Sequence, residues 1–386
     1  MAVLDEMHLR RNPTLTVGQK FWSINWGLVL LICLLSGFGL AMLYSAANGS
    51  FQPWAGRQAV RFLLGLSVMF GCALIDIRFW FRFAYPLYIL SLLLLVAVEI
   101  MGSIGMGAQR WIDLGVIQLQ PSEIMKVALV LALARYFHGL TVQDVGRPHY
   151  LIPPIFMALA PAALVMRQPD LGTAIMLLMV TGAVFFAAGV RWWKFAIVIA
   201  LVAGAVPLAW SHLHGYQRNR VLTFLNPESD PLGAGYHIMQ SKIALGSGGV
   251  LGKGFLQGSQ SHLNFLPEKQ TDFIFTMLAE ELGMVGGLLL LTLFFLVFVY
   301  GFAIALRSRN HFGRIVALGL TINLFLYVFI NIAMVTGLIP VVGVPLPLVS
   351  YGGTAMLAVL FSLGLVISVS VHRDVRIPRR GLREEA

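Results

Sequence analysis

Ten stretches of this chain are apolar over the length of a membrane crossing, near residues 24–46, 58–75, 79–101, 121–137, 150–166, 171–189, 193–210, 273–305, 312–336 and 349–371. The hydrocarbon core of a bilayer takes roughly 20 apolar residues per helix. Apolar residues make up 58% of the sequence and charged residues only 11%. A soluble domain carries about 25% charged residues, so a water-soluble fold could not hide this surface. The pattern predicts an all-α polytopic membrane protein of about ten transmembrane helices. One membrane domain spans residues 24–371, between a polar segment at 1–23 and a basic tail at 372–386. The eighth run is long enough to begin as an interfacial helix or to tilt.

Lys and Arg in short loops are retained on the cytoplasmic side. Starting inside, the inner segments collect Arg10, Arg11, Lys20, Arg78, Arg82, Arg135, Arg147, Arg191, Lys194, Arg307, Arg309, Arg314 and the tail residues Arg373, Arg376, Arg379, Arg380 and Arg383, 17 in all. The short outer connections hold Arg57, Arg61, Arg110 and Arg167. The bias alternates at every crossing, and an even number of crossings puts both termini in the cytoplasm. This placement also accounts for the formal charge of +10 without a nucleic-acid partner. The basic residues sit between apolar runs, and the tail cluster suits anionic lipid. The first run outlasts the about 7–15 residue core of a signal peptide and reads as an uncleaved helix. Cys33 and Cys72 lie inside apolar runs, form no C-x-x-C pair and read as packing residues.

One connection departs from the short-loop pattern: residues 211–272, on the outer face between the seventh and eighth spans. Long loops are uncommon in compact folds and are usually functional. This one sets Arg218, Arg220, Lys242, Lys253 and Lys269 against Glu228, Asp230, Glu268 and Asp272. That positive excess suits a polyanion such as a diphosphate, or equally a solvated surface. The Gly246–Gly254 stretch fails as a phosphate loop, because Ser247 and Gly254 stand where a Walker A motif needs Gly and Ser or Thr; it reads as a flexible turn. His212 and His214 form no metal-ligand pattern.

Glu123 and Lys126 stand three apart after Pro121 and share one helix face. Ionisable groups in a span are costly unless paired or wetted, so this face points inward, as a structural pair or a functional one. Asp170 follows Pro169 and Asp272 precedes Phe273, each where a helix N-cap belongs. For Asp170 the cap is the plainer reading; for Asp272 a cap and a catalytic role stand level. Pro340, Gly343, Pro345 and Pro347 precede Ser350-Tyr-Gly-Gly353. Non-helical backbone at membrane depth is tolerated only when it is buried in protein or lines a cavity.

Several long motifs occur in a fixed order: Gly107-Ala-Gln-Arg-Trp-Ile-Asp-Leu-Gly115, Gln120-Pro-Ser-Glu123, Gln168-Pro-Asp-Leu-Gly172, Asn226-Pro-Glu-Ser-Asp-Pro-Leu-Gly-Ala-Gly-Tyr-His237, Pro267-Glu-Lys-Gln-Thr-Asp-Phe-Ile-Phe275 and Pro345-Leu-Pro-Leu-Val-Ser-Tyr-Gly-Gly353. Over nearly its whole length the chain thereby resembles the SEDS family of cell-wall proteins, RodA-type members more than FtsW-type ones. The resemblance implies a bacterial inner-membrane peptidoglycan glycosyltransferase that polymerises lipid II during cell elongation and rod-shape maintenance and releases undecaprenyl diphosphate. It also implies a class B penicillin-binding transpeptidase as partner, alongside other elongation-complex membrane proteins. The family's essential acidic residue falls on Asp272. Its membrane carboxylate and lysine fall on Glu123 and Lys126, while Arg57, Arg110 and Asp170 match further positions tied to activity. Gln270 stands where many members have His, so no imidazole role carries over.

Transfer from a lipid diphosphate needs a base for the incoming 4-hydroxyl, whereas the diphosphate leaves without protonation; one carboxylate suffices, unlike the pair in glycoside hydrolases. Asp272 is then the base, or the anchor of a divalent cation such as Mg²⁺ or Mn²⁺. Arg57, Arg110 and Lys242 are candidates for charge stabilisation, with Lys269 and Ser350 as further substrate-binding or supporting residues. Direct displacement predicts inversion at the anomeric carbon. The competing readings are a lipid II flippase and a non-catalytic scaffold.

Overall fold

The computed structural model describes residues 16–105, 108–113, 118–212, 215–226, 234–263, 265 and 268–378. Arg10, Arg11, His214, Glu228, Asp230, Arg379, Arg380 and Arg383 lie outside the described residues, as do Gly107, Pro267 and positions 114–115 and 227–233 of the motifs above.

Helices occupy all ten expected runs: α1 (Trp26–Ala46), α2 (Ala55–Leu74), α3 (Ile77–Met101), α4 (Pro121–His138), α5 (Pro148–Arg167), α6 (Leu171–Ala188), α7 (Trp192–His212), α8 (Ile274–Arg307), α9 (His311–Val335) and α10 (Gly353–Val371). Among the described residues, eight of them are long and apolar enough to cross a membrane, all but α4 and α7. The chain is a multi-pass membrane protein. Glu123, Lys126 and Arg135 make α4 the less apolar helix, yet 15 of its 18 residues are buried. It is ringed by α3, α5, α6, α9 and α10, so its charged groups face protein rather than lipid. In α7, by contrast, Trp192, Ile199, Leu201 and Val202 are all exposed, as a helix facing lipid requires.

The long connections have structure of their own. Residues 211–272 include helices at Gly215–Leu225, Ala234–Ser247 and Ser259–His262. Between α3 and α4 the chain forms a small antiparallel sheet of Ser103–Gly105, Ala108–Asp113 and Gln118–Leu119. The non-helical stretch before α10 is buried in protein, with Val344, Leu346, Leu348, Val349 and Ser350 each 5% exposed or less. This meets the condition for irregular backbone at membrane depth.

The eighth apolar run is two helices joined at a break. Gly283 has φ 66° and ψ −164°, and the break strands the carbonyls of Glu280 and Glu281 and the amides of Met284 and Val285. The glycine-rich stretch takes up all four. Lys253 N donates to Glu280 O (3.1 Å), Gly254 N to Glu281 O (2.9 Å), Met284 N to Gly249 O (3.0 Å) and Val285 N to Val250 O (3.1 Å). The expectation of a flexible turn is therefore corrected: these glycines permit close backbone approach. A Cβ on Gly252, whose φ is +80°, would stand 2.1 Å from Glu281 O. Gly252→Ala should lower unfolding stability by about 2–4 kcal/mol, combining strain at positive φ with overpacking; thermal unfolding of the detergent-solubilised protein measures it.

Candidate active site

The end of the bundle that carries the 211–272 connection gathers the polar side chains that composition alone leaves scattered. Asp272 ends the 211–272 connection, directly before α8. It is not a helix cap: α8 has Phe273 at its N-cap and no side-chain cap bond. Instead its loop is pinned through backbone carbonyls. Tyr351 N donates to Gln270 O (2.8 Å), Ser350 Oγ to Thr271 O (2.5 Å) and Asn331 Nδ2 to Asp272 O (2.9 Å). Ser350 Oγ also accepts from Leu346 N (2.8 Å), and Asn331 Nδ2 donates to Val344 O (2.7 Å). Ser350 thus acts here through the loop rather than as a surface hydroxyl. The Asp272 carboxylate itself makes no hydrogen bond among the described residues and lies over Gly343, where a Cβ would be 3.4 Å from its Oδ2. Burial, reinforced by the Glu268 charge, pushes this carboxyl up to about 6. A held backbone with an unengaged, more basic carboxylate is the arrangement a proton acceptor needs.

Glu123 and Lys126 form a buried pair at 2.7 Å. Tyr327 on α9 completes it, donating to Glu123 Oε2 and bonding Lys126 Nζ through the same hydroxyl. Asn331 lies four residues beyond Tyr327, on the same face of α9. One helix face therefore ties the buried pair to the Asp272 loop. Asp170 is the N-cap of α6, accepting from Thr173 N (3.2 Å) and Thr173 Oγ1 (2.9 Å). Arg110 reaches it from the sheet, with its Nε 3.8 Å from Asp170 Oδ2 and its Nη2 donating to Pro169 O (2.6 Å).

The other expected residues are less engaged. Lys242 is exposed and its stem lies over Gly337. Lys269 is buried and donates to Ser261 O (2.8 Å); burial lowers its pKa against the opposing Glu281 charge, so it braces the loop. Arg57 is exposed on the first turn of α2.

Six groups that the sequence did not single out for the site take part in it: Tyr327 and Asn331 above, and Gln58, Arg61, Glu280 and Glu281. Next to the exposed Arg57 but turned into the protein, Gln58 Nε2 donates to Ser350 O (3.0 Å). Arg61 stacks on the Tyr351 ring, its Cζ 4.8 Å from the centroid, and its buried Nη1 has no hydrogen bond among the described residues. Glu280 and Glu281 are fully buried. Glu280 accepts from Lys253 Nζ (2.8 Å) and Gln260 N (2.9 Å), and Glu281 from Ser45 Oγ (2.6 Å) and His262 Nε2 (3.0 Å). Their carboxylates lock the 211–272 connection to α8. Polar residues inside apolar runs are the one signal that could have flagged Tyr327, Asn331, Glu280 and Glu281.

Three comparisons bear on these motifs. A family model described as Cell cycle protein, covering FtsW, RodA and SpoVE, matches residues 25–375. The peptidoglycan glycosyltransferase MrdB of Escherichia coli K12 is 48% identical over 363 residues, 92% of this chain and 97% of that protein. A probable peptidoglycan glycosyltransferase FtsW of Trichlorobacter lovleyi is 37% identical over 89% of this chain and 92% of its own length. Among solved structures, a chain from a peptidoglycan synthase complex that coordinates polymerization and crosslinking superposes with a TM-score of 0.79 at 36% identity, covering 91% of this chain and 98% of that one. The rod shape determining protein RodA of Thermus thermophilus gives 0.70 at 31% identity, covering 92% and 98%. With the family model matched over residues 25–375 and relatives and solved structures alike over about nine-tenths of its length, the chain belongs to the FtsW/RodA/SpoVE family of cell cycle proteins, the SEDS family.

Proposed function

We propose that this chain is a RodA-type peptidoglycan glycosyltransferase that polymerises lipid II at the outer face of the bacterial inner membrane during cell elongation. The observation that carries this reading is the Asp272 carboxylate, raised in basicity and unengaged on a loop pinned at three successive carbonyls. The 48% identity to a peptidoglycan glycosyltransferase supports it independently. The ten helices cross ten times, with both termini in the cytoplasm. The arginine and lysine asymmetry of the connections supports that orientation.

In the reaction, Asp272 accepts the proton of the acceptor sugar's 4-hydroxyl as that oxygen bonds the donor's anomeric carbon. The bond to the diphosphate breaks, and the undecaprenyl diphosphate leaves with the electron pair, inverting the centre. Asp272, with Glu268 beside it, also has the chemistry to hold Mg²⁺ or Mn²⁺, since such ions need only one or two carboxylates together with substrate phosphates. A bound cation would supply charge neutralisation for the leaving diphosphate. The Arg61 guanidinium, always charged, stacks on Tyr351, whose amide pins the Asp272 loop, and keeps a buried nitrogen with no hydrogen bond among the described residues. Arg61→Ala should lower polymerisation by roughly 10–100-fold, the value of one hydrogen bond to a charged group, with Arg61→Lys intermediate; initial rates at varied lipid II measure it. A class B penicillin-binding transpeptidase is the partner that crosslinks the product, a reading supported by the likeness to a synthase complex.

The test is lipid II polymerisation by the purified chain, alone and with its partner carrying an inactivated transpeptidase. Long glycan strands are expected. No strands, where another polymerase makes them, would move the reading to a flippase or scaffold.

A further inference from the structure

The end of the bundle opposite Asp272 holds a second built site. There the Ser308–Asn310 turn between α8 and α9, the end of α4 and the segment after α10 line a partly open cavity of about 380 Å³. That lies within the about 300–1,000 Å³ of small-ligand sites. Its walls are fixed by hydrogen bonds: Arg309 N donates to Arg373 O (3.1 Å), Asn310 Nδ2 to Val375 O (3.2 Å), and His138 Nε2 meets Ile377 O at 3.2 Å. Val375 and Ile377 pack onto the hydrophobic core and hold the segment in place.

Into this volume converge Arg309, Arg314, Arg376, His138 and His311. Asp374 is the acid nearby, and it pairs with Arg309 (3.2 Å) across a mostly exposed contact. Arg314 donates to Ser308 O (3.2 Å), and neither it nor Arg376 has an ion pair among the described residues. The N-terminus of the 25-residue α9 opens here as well, adding its positive end. Retention of basic residues on the inner side explains scattered exposed arginines. It does not explain their gathering around one partly open cavity, where three exposed guanidiniums repel one another unless an anion sits among them. Arginine forks match phosphate oxygens bidentately.

We infer that this cavity binds a phosphate-bearing anion carrying more than one negative charge or more than one phosphate oxygen pair. The group belongs either to an anionic phospholipid headgroup or to a soluble phosphate compound. This site is separate from the proposed polymerisation chemistry and does not depend on it.

The experiment follows thermal unfolding of the full chain in lipid nanodiscs. In one arm the discs are phosphatidylcholine and inorganic pyrophosphate is titrated in. In the other, part of the phosphatidylcholine is replaced by phosphatidylglycerol. A rise in Tm with pyrophosphate identifies a soluble ligand, and a rise with phosphatidylglycerol alone identifies a headgroup. In whichever arm responds, Arg314→Gln with Arg376→Gln should weaken the apparent affinity at least roughly tenfold. Arg307→Gln with Arg373→Gln, two equal charges at the same end that line a neighbouring cavity, should leave it unchanged. Should the first pair fail to fold, Arg376→Gln alone, on an exposed segment, carries the comparison. No response in either arm, or equal loss from both pairs, overturns the proposal.

Discussion

Asp272→Asn should abolish measurable glycan-strand synthesis while leaving the fold intact or slightly stabilised. Loss of a positioned general base costs about 10²–10⁴-fold in rate. Asn keeps the shape of the side chain and removes the charge, and the backbone carbonyls that pin the loop belong to residues 270–272 whatever the side chain. Burial makes the ionised carboxylate the costly form, since it is burial first and then Glu268 that push its pKa up to about 6. Removing the charge therefore relieves a desolvation cost rather than creating one.

The same shift sets the pH dependence and its sign. The base must be ionised, so wild-type activity should fall as pH drops through about 6. Stability moves the other way for this group. A carboxyl whose folded pKa is raised binds its proton more tightly in the folded state, so its contribution favours folding as pH falls from above 6 towards the unfolded value of 3.8. Activity lost near pH 5 while the unfolding temperature holds or rises would carry the signature of Asp272. A flat rate profile across that window would remove it from the base role.

How far the sequence speaks here depends on whether a residue's partner is local. The ten runs, the inward face of Glu123 and Lys126, and the Asp170 cap after Pro169 are set by spacing along one helix, and all ten runs are helical in the structure. The length of the eighth run hinted at a compound helix, and the break at Gly283 supplies it. The Gly246–Gly254 stretch reads as a free turn in sequence because its partners are the stranded carbonyls and amides of a helix some thirty residues on. Glycines that admit another backbone and glycines that free a turn look alike until both strands are in view. Arg57 and Arg61 were alike in sequence as outer arginines; only the fold sets Arg61 on Tyr351 and leaves Arg57 in the open. Tyr327 and Asn331 are invisible for the same reason, since each matters through residues about 60 to 200 positions away.

That α9 face yields the second large effect. Lys126→Ala should cost about 3–5 kcal/mol of stability, because among the described residues it leaves the buried Glu123 charge with the Tyr327 hydroxyl alone as donor. Activity should fall with it, since the Tyr327 anchor keeps α9 in register and Asn331, one turn on, holds the Asp272 carbonyl. Exchanging the two residues, Glu123→Lys with Lys126→Glu, separates structure from chemistry. Tyr327 can donate to a carboxylate at either position and accept from an ammonium at either position. The exchange should therefore recover most of the stability lost in the single variant and, with it, most of the polymerisation rate. Unfolding temperature and strand synthesis on the same preparations decide the matter. A well-folded exchange variant that makes no strands would mean that Glu123 or Lys126 meets the substrate directly. The buried triad would then belong to the reaction rather than to the frame that holds Asp272 in place.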